Sequence, residues 1–505
     1  MILDTVNELI EFESKVFHYS LMEKIYYRNL VLGELNLSYP KEFTIEDKEN
    51  VKNLRLPDSL IESINLYLSE VLKLDGKEQE LKLTKIFGLI TPSPKEIEDH
   101  FLSIEKNSPK EALDYLYNLS IANNYIQKSK IEKNLLWDTN FKKNNLEISI
   151  NLSKPEKNVK DIAKLLQKPK ESETKYPKCL LCLENLGFYG SGTHPARENL
   201  RLIPLKLNKK DWYLQYSPYG YFNMHSIILY IEHVNMVINK ETFINLTDFV
   251  DRFPCFFIGS NADLPIVGGS ILNHEHYQGG EHILPIMKSK NKKEYRLNNY
   301  PNSKLFLLDW YNTTLLLEGK NKNELIDLAN KILLTWRTYS SPENEIIAKD
   351  ENGEHNTITP SVKKIKDIYY IYLILRNNRC NELYKEGIFH AHPEYYHIKK
   401  ENIGIIEAMG LFVLPARLKR QMEEISSSLD LNLNDEEIYK KYPDLIEFKV
   451  MIQALRNDDS KLSYLDKAKK YIDEVCRNIL INTGVFKDTK VGNEGIDKFI
   501  KECKL

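Results

Sequence analysis

Residues 270–280 read SILNHEHYQGG: two histidines one residue apart, a glutamine two further on, and glycines on both flanks. If the segment is extended, His274 and His276 point to opposite faces. They do not then share one ion as the i, i+4 histidines of an H-E-x-x-H helix do, so a metalloprotease site fails on geometry. One imidazole can be structural while the other faces a substrate, and Gln278 lies on the same side as His276. A nucleophilic imidazole beside a neutral amide donor suits attack on phosphorus, because the amide can hold a non-bridging oxygen without competing for the proton. Glutamine cannot act as an acid. The leaving group must therefore be good already, such as a phosphate whose second pKa is about 6. Gly268, Gly269, Gly279 and Gly280 would let backbone approach a phosphate and offer N–H groups; the alternative is an ordinary bulge or turn.

Cys179 and Cys182, in CLLC, have the spacing of a zinc knuckle, in which two thiolates reach one tetrahedral ion from a tight turn. The alternative is a buried cysteine pair. A redox pair lacks the strand–motif–helix context it needs. Zinc would need further ligands from distant histidines, and His233, ending the predicted strand IILYIEH, and His274 are the best placed by type. Asn261 and Asp263, in GSNADLPIVGG, could bond a sugar or base, or form an Asx turn before Pro265. FHAHPEYYH brings His390, His392 and His397, as part of a site or as a surface cluster. Lys154 and Lys157 follow a predicted strand, where they meet a phosphate or are solvated.

These residues need elements to hold them. Residues 1–142 read as helices. SPKE occurs at Ser93 and at Ser108, each copy giving an N-cap serine, a proline at the first helical position and a glutamate at the third. After the second copy, Leu113, Leu116, Leu119, Ile121 and Tyr125 form an apolar face. The period changes at NLEISINLSKPEK, where Leu146, Ile148, Ile150 and Leu152 alternate with Glu147, Ser149 and Asn151, as in a half-buried strand. Further strands are predicted at WYLQYSP, HSIILYIEH, FFIGSN and KLFLLDWYNTTLLLEG, with helices at KETFINLTDFVDRF and NKNELIDLANKILLTWRTY. A second strand-rich block holds DIYYIYLILRNNR and GIFHAHPEYYHI, and from about Gly404 the chain is mostly helix. The lysine-rich stretches 104–110 and 286–293 read as solvated loops. The expected class is α+β: a helical region 1–142, an α+β unit 143–298 with the nucleophile motif, a second α+β unit 299–425 and a helical tail 426–505.

Composition narrows the function classes. The 505 residues carry a formal net charge of −2 although 28% are charged, which removes a global electrostatic case for nucleic acid or a membrane surface. The tyrosines are too dispersed for an aromatic nucleic-acid platform. No run of about 18 apolar residues occurs, and the first segment is acidic where a signal peptide would be basic. A cytoplasmic protein is expected. Six cysteines in so long a chain argue against a disulfide framework. Six of the twelve histidines fall between His194 and His282, which places the chemistry in the middle of the chain.

In combination, LEISINLSKPEKNVKDIA, CLLCLENLGFYGSGTHPARENLRLIPL, WYLQYSPYGYFNMHSIIL, FPCFFIGSNADLPIVGGSILNHEHYQGGEHILPI, HNTITPSV, LILRNNR and GIFHAHPEYYHIKKENIGIIEAMGLFVLPARL resemble the galactose-1-phosphate uridylyltransferases, specifically the longer class II of low-GC bacteria. The resemblance implies two histidine-triad-like α+β units and a double displacement. His276 would attack the α-phosphorus of UDP-glucose, expel glucose 1-phosphate and pass the uridylyl group to galactose 1-phosphate, with Gln278 as the phosphate-oxygen donor. It implies a structural zinc on Cys179, Cys182, His233 and His274. Asn261, Gly269 and Ser270 lie where family members contact UDP. Lys154 and Lys157 fall in a loop that meets a neighbouring subunit's phosphate site, so a homodimer is expected; a lysine, however, lacks the bidentate geometry of the arginines found there in class I. The HAH segment matches one that supplies histidines to a further metal in class I. Here no histidine lies in the stretch about fifteen residues before His390 where the resemblance expects another ligand, which puts that second metal in doubt and leaves His390 and His392 to substrate binding or packing. His282 has no assigned role.

Overall fold

The computed structural model describes residues 2–38, 51, 53–152, 176–191, 194–269 and 271–505. Lys154, Lys157 and Ser270 lie outside the described residues. Two compact units form: the described residues of Met1–Lys133, Lys157–Gly220 and Met224–His233 make one, those of Asn134–Glu156, Tyr221–Asn223 and Val234–Leu505 the other. The chain is α+β, with helices leading and ending it.

In the first unit, helices α1 (Ile2–Phe17), α2 (Leu21–Glu34), α3 (Asp58–Glu70) and α4 (Gly76–Ile90) bury one core that includes Val6, Leu9, Leu32, Ile64, Leu68, Phe87 and Ile90. The SPKE motifs start α5 (Pro94–Glu105) and α6 (Pro109–Ala122). Ser93 Oγ accepts from Glu96 N at 3.4 Å while Glu96 accepts from Ser93 N at 2.8 Å, so two otherwise orphaned amides are satisfied reciprocally. Three antiparallel strands lie side by side, β3 (Ile203–Leu207), β4 (Lys210–Tyr216) and β5 (Ser226–Tyr230). β5 ends at Tyr230, so His233 follows the strand rather than ending it.

The second unit holds β1 (Leu135–Asp138), β2 (Glu147–Asn151), β6 (Phe257–Gly259), β7 (His276–Gly280), β8 (Asn291–Tyr295), β9 (Ser303–Leu308), β10 (Thr314–Gly319), β11 (Asn356–Ile365), β12 (Ile368–Asn377) and β13 (Leu411–Pro415). Seven of these lie side by side in the order β7-β6-β11-β12-β10-β9-β8, each antiparallel to its neighbour. Residues opposed across a ladder share a face. Gln278, Gly259, Ser361, Tyr372, Leu316 and Phe306 therefore line one face, and Gly279, Ile258, Val362, Ile371 and Leu317 the other. Helices α7 (Lys240–Arg252) and α8 (Lys322–Thr338) pack against this sheet. The Tyr372 face belongs to a core shared with Ile405, Ile406, Phe412 and the tail helices α9 (Arg417–Asp430), α10 (Asp435–Lys441), α11 (Lys449–Arg456) and α12 (Tyr464–Thr483). A last helix, α13, spans Lys490–Glu502.

The elements differ from expectation in several places, beginning with β1, which lies inside the region 1–142 read as helices. β2 is not half-buried: it is the middle strand between β1 and β13, and Ser149 and Asn151 are as buried as Ile148 and Ile150. GIFHAHPEYYHI is not a strand but a set of turns with a 3-10 segment at Pro393–Tyr395, and Gly387 has a left-handed φ of 110°. The strand that joins β12 to the site is instead β11, whose central Pro360 hides it from a propensity reading; its carbonyl still accepts from Ser260 N at 2.9 Å. Part of the lysine-rich stretch 286–293 is the exposed edge strand β8, where lysines deter further pairing.

Candidate functional site

β7 begins at His276, and His274 sits in the bend before it. His276 is 6% exposed, and its Nδ1 lies 2.8 Å from the carbonyl oxygen of His274. A carbonyl only accepts, so the proton sits on Nδ1 and Nε2 keeps its lone pair. Burial lowers the imidazole pKa to about 4, so the ring is neutral at neutral pH. Strand alternation sets Gln278 on the face of His276 and Tyr277 on the other. Tyr277 is held there: Asn245 Nδ2, from α7, donates to its hydroxyl at 2.9 Å, and the hydroxyl donates to Glu275 Oε1 at 2.9 Å. The residue between the two histidines is thus tied to the helix behind the sheet.

The glycines serve close packing. Gly259, opposite Gln278, has Ile405 where a Cβ would stand, and Gly279 has the Phe257 carbonyl there. A Cβ on Gly269 would lie 2.5 Å from Asn261 Nδ2. Asn261 is buried, and its Oδ1 accepts from Ile405 N at 2.8 Å. Asp263 makes no Asx turn. Its carboxylate accepts from Ile238 N at 2.9 Å, Arg337 Nη2 at 2.8 Å and Thr357 Oγ1 at 2.5 Å.

His390 and His392 are engaged with backbone. His390 Nε2 accepts from Ile403 N at 3.3 Å, and Arg376 Nη2 donates to the carbonyl of the same residue at 2.9 Å. His392 stacks on Tyr384 with ring centroids 3.8 Å apart, and its Nε2–H donates to Ile388 O at 3.0 Å. His397 contacts the Tyr471 hydroxyl at 3.3 Å. His282 stacks on Phe222 and meets Glu147 Oε2 at 2.6 Å. Burial pushes the Glu147 carboxyl up, but hydrogen bonds from His282 and Lys288 outweigh it and hold the pKa below its ordinary value.

In the first unit Cys179, Cys182 and His233 come together, their ligand atoms within 4.8 Å of one another. The two sulfurs lie 3.6 Å apart, and Cys182 Sγ is 3.1 Å from His233 Nδ1. A tetrahedral zinc, with Zn–S about 2.3 Å and Zn–N about 2.0 Å, sets these edges at about 3.8 and about 3.5 Å, so the trio fits that ion. The Leu181 N–H points at Cys179 Sγ at 3.4 Å, and Asn185 Nδ2 donates to the carbonyls of both cysteines at 2.8 Å. Asn185, Asn245 and Arg337 carry no motif that the sequence marks, and Asp263, marked there as a sugar or base ligand or a turn residue, has different partners. Their importance rests on which backbone groups they reach.

Among the described residues no helix is long and apolar enough to cross a membrane. The family model for the N-terminal domain of galactose-1-phosphate uridyl transferase matches residues 46–235, and that for its C-terminal domain residues 249–441. A galactose-1-phosphate uridylyltransferase of Clostridium acetobutylicum is 43% identical, with 99% of each chain covered. Another, of Fusobacterium nucleatum, is 41% identical over 99% of this chain and 98% of its own. Among solved structures, a yeast Ap4A phosphorylase covers 71% of this chain and 92% of its own at 11% identity, with a TM-score of 0.31, too low to bear on the fold. With both domain models matched and full-length relatives this similar, the chain belongs to the galactose-1-phosphate uridylyltransferase family.

Proposed function

We propose that this chain is a nucleotidyltransferase that converts UDP-glucose and galactose 1-phosphate to glucose 1-phosphate and UDP-galactose, a step of galactose metabolism. His276 Nε2 attacks the α-phosphorus of UDP-glucose. A P–N bond forms, the bond from the α-phosphorus to the bridging oxygen breaks, and glucose 1-phosphate leaves with the electron pair. A phosphate oxygen of galactose 1-phosphate then attacks the uridylyl-histidine and returns the electron pair to Nε2. No side chain need protonate the leaving group, since a phosphate monoester is stable as an anion. Gln278 donates an amide N–H to a non-bridging oxygen as charge builds there. The observation that carries this reading is the Nδ1–H bond to the His274 carbonyl, which leaves Nε2 as a lone pair on a buried neutral ring.

The reading includes contacts to UDP from Asn261 and Gly269, and a structural zinc with His274 completing the set of Cys179, Cys182 and His233. Support for His274 comes from the backbone: Glu275 N donates to Val234 O at 2.8 Å, which pins the residue after His274 to the residue after His233. Zinc there ties together chain segments distant in sequence. A homodimer and a cytoplasmic location belong to the same proposal; sedimentation should then give twice the 59.2 kDa chain mass.

The test is the first half-reaction alone. Mixed with UDP-glucose and no acceptor, the protein should release about one equivalent of glucose 1-phosphate per chain and retain an acid-labile uridylyl group on His276. An unchanged burst in His276→Ala, or no burst from the unsubstituted protein, overturns the proposal.

A further inference from the structure

We propose that Asp263 and Arg337 form a clamp that sets the tautomer and direction of the His276 imidazole without touching substrate. The inference rests on His276 being the nucleophile. Both partners grip one residue, Ile238, at its N–H and its carbonyl. Asp263 Oδ2 accepts from Ile238 N at 2.9 Å, and Arg337 Nη2 donates both to Asp263 Oδ2 at 2.8 Å and to Ile238 O at 3.1 Å. Thr357 of β11 donates to the other carboxylate oxygen at 2.5 Å, which fixes the pair to the sheet. The Asp263 side chain is 8% exposed and that of Arg337 22%.

Ile238 ends the irregular run from Val234. Two backbone bonds tie that run to the approach to β7: Met236 N donates to Leu272 O at 2.9 Å, and Glu275 N to Val234 O at 2.8 Å. These two bonds bracket His274. Its carbonyl is the acceptor that holds the proton on His276 Nδ1. The clamp thus reaches the nucleophile through the backbone of Ile238, the run 234–236, the run 272–275 and the His274 carbonyl. Asp263 and Arg337 are positioning residues: a carbonyl displaced by a fraction of an ångström no longer enforces the Nδ1–H form, and a ring in the Nε2–H form has no lone pair where the phosphorus must bind.

Asparagine at 263 offers one acceptor oxygen to three donors, and leucine at 337 removes the cation while keeping its packing stem. Asp263→Asn and Arg337→Leu should each slow the uridylylation burst about 10- to 100-fold, with its final amplitude near one per chain and the UDP-glucose Kd within about twofold. Arg337→Lys, which can still reach both oxygens, should restore most of the rate. In histidine-selective 15N spectra at pH 7.5, with the His276 signals assigned by their loss in His276→Ala, the unsubstituted protein should show the Nδ1–H form. The two disrupting variants should add the Nε2–H form. If Asp263→Asn does not fold, Arg337→Leu decides. A folded variant with an unchanged burst rate and a pure Nδ1–H spectrum overturns the clamp. Absence of a burst from the unsubstituted protein overturns instead the reaction assignment.

Discussion

At the scale of single residues, the proposed reaction has His276 and Gln278 divide the work that one acidic or metal-bound group does in many phosphoryl-transfer sites. In that proposal the imidazole supplies the electron pair and the amide meets the charge that builds on a non-bridging oxygen. That division makes Gln278 testable apart from the nucleophile. Gln278→Ala should lower the burst rate by about 10²- to 10³-fold, the cost of one donor aimed at a developing oxyanion, and leave the burst amplitude and melting temperature nearly unchanged. Gln278→Glu should be slower still, because a carboxylate facing the same oxygens repels them. Rapid-quench measurement with UDP-glucose checks both, and equal rates in the two variants would remove the glutamine from the phosphate site. The types and order of these residues were legible in HEHYQ, since side chains two apart in a strand share a face whatever surrounds them. The clamp was not. Asp263 reads equally well as a sugar ligand or a turn residue until its carboxylate is seen to meet Ile238, Arg337 and Thr357.

At the scale of elements, local signals gave what local physics determines. Both SPKE motifs start helices because capping involves only the next few residues. The GIFHAHPEYYHI segment shows the limit: the alternating His390 and His392 look like part of a strand, but His392 folds back to Ile388 O and Pro393 opens a 3-10 turn. The CLLC knuckle lies between these cases. Its spacing was informative, and the second contribution, Asn185 holding both cysteine carbonyls, depends on a turn no pattern specifies. If zinc occupies this element, metal analysis should give about one zinc per chain. Burial pushes the Cys179 thiol up to about 12, so the ion itself must stabilise the thiolate. Cys179→Ser should then lose the metal and lower the melting temperature by several degrees. Asn185→Ala should keep the ligands yet release zinc to a chelator about 10- to 100-fold faster, since it loosens the carbonyls that aim them. Purified protein with no zinc, and a melting temperature indifferent to Cys179→Ser, would count against the site.

At the scale of the whole molecule, the two units carry buried ionisable groups of opposite sense, so acid should act on them in opposite directions. In the first unit Glu13 is 0% exposed, neither carboxylate oxygen has a hydrogen-bond partner among the described residues, and burial raises its pKa well above the ordinary value. Burial also raises Glu198 to about 6. Unfolded, both ionise near about 4.3. Their folded pKa values are the higher ones, so folding takes up protons above that pH. The stability of this unit is greatest below it and falls by roughly 1.4 kcal/mol per pH unit for each group until its folded pKa is passed. In the second unit burial lowers His276, His390 and His397 to about 4, against about 6.5 unfolded. There the stability is full above pH about 6.5 and is lost as pH falls toward 4. Asp473, raised by burial to about 6, opposes this with one group against three. Carboxylates held down by ion pairs, such as Asp251 with Lys322 and Lys364, lose their contribution only below about pH 4 and do not alter the signs. Hydrogen exchange read by mass spectrometry between pH 5 and 6.5, corrected for intrinsic rates, should show protection of α1–α4 rising on acidification while that of β11 and β12 falls. Glu13→Gln cannot titrate and should flatten the first trend alone, raising the protection of α1–α4 most at the upper end of the range. The same sign of change in both units, or an identical slope in Glu13→Gln, would contradict the assignment of these buried groups.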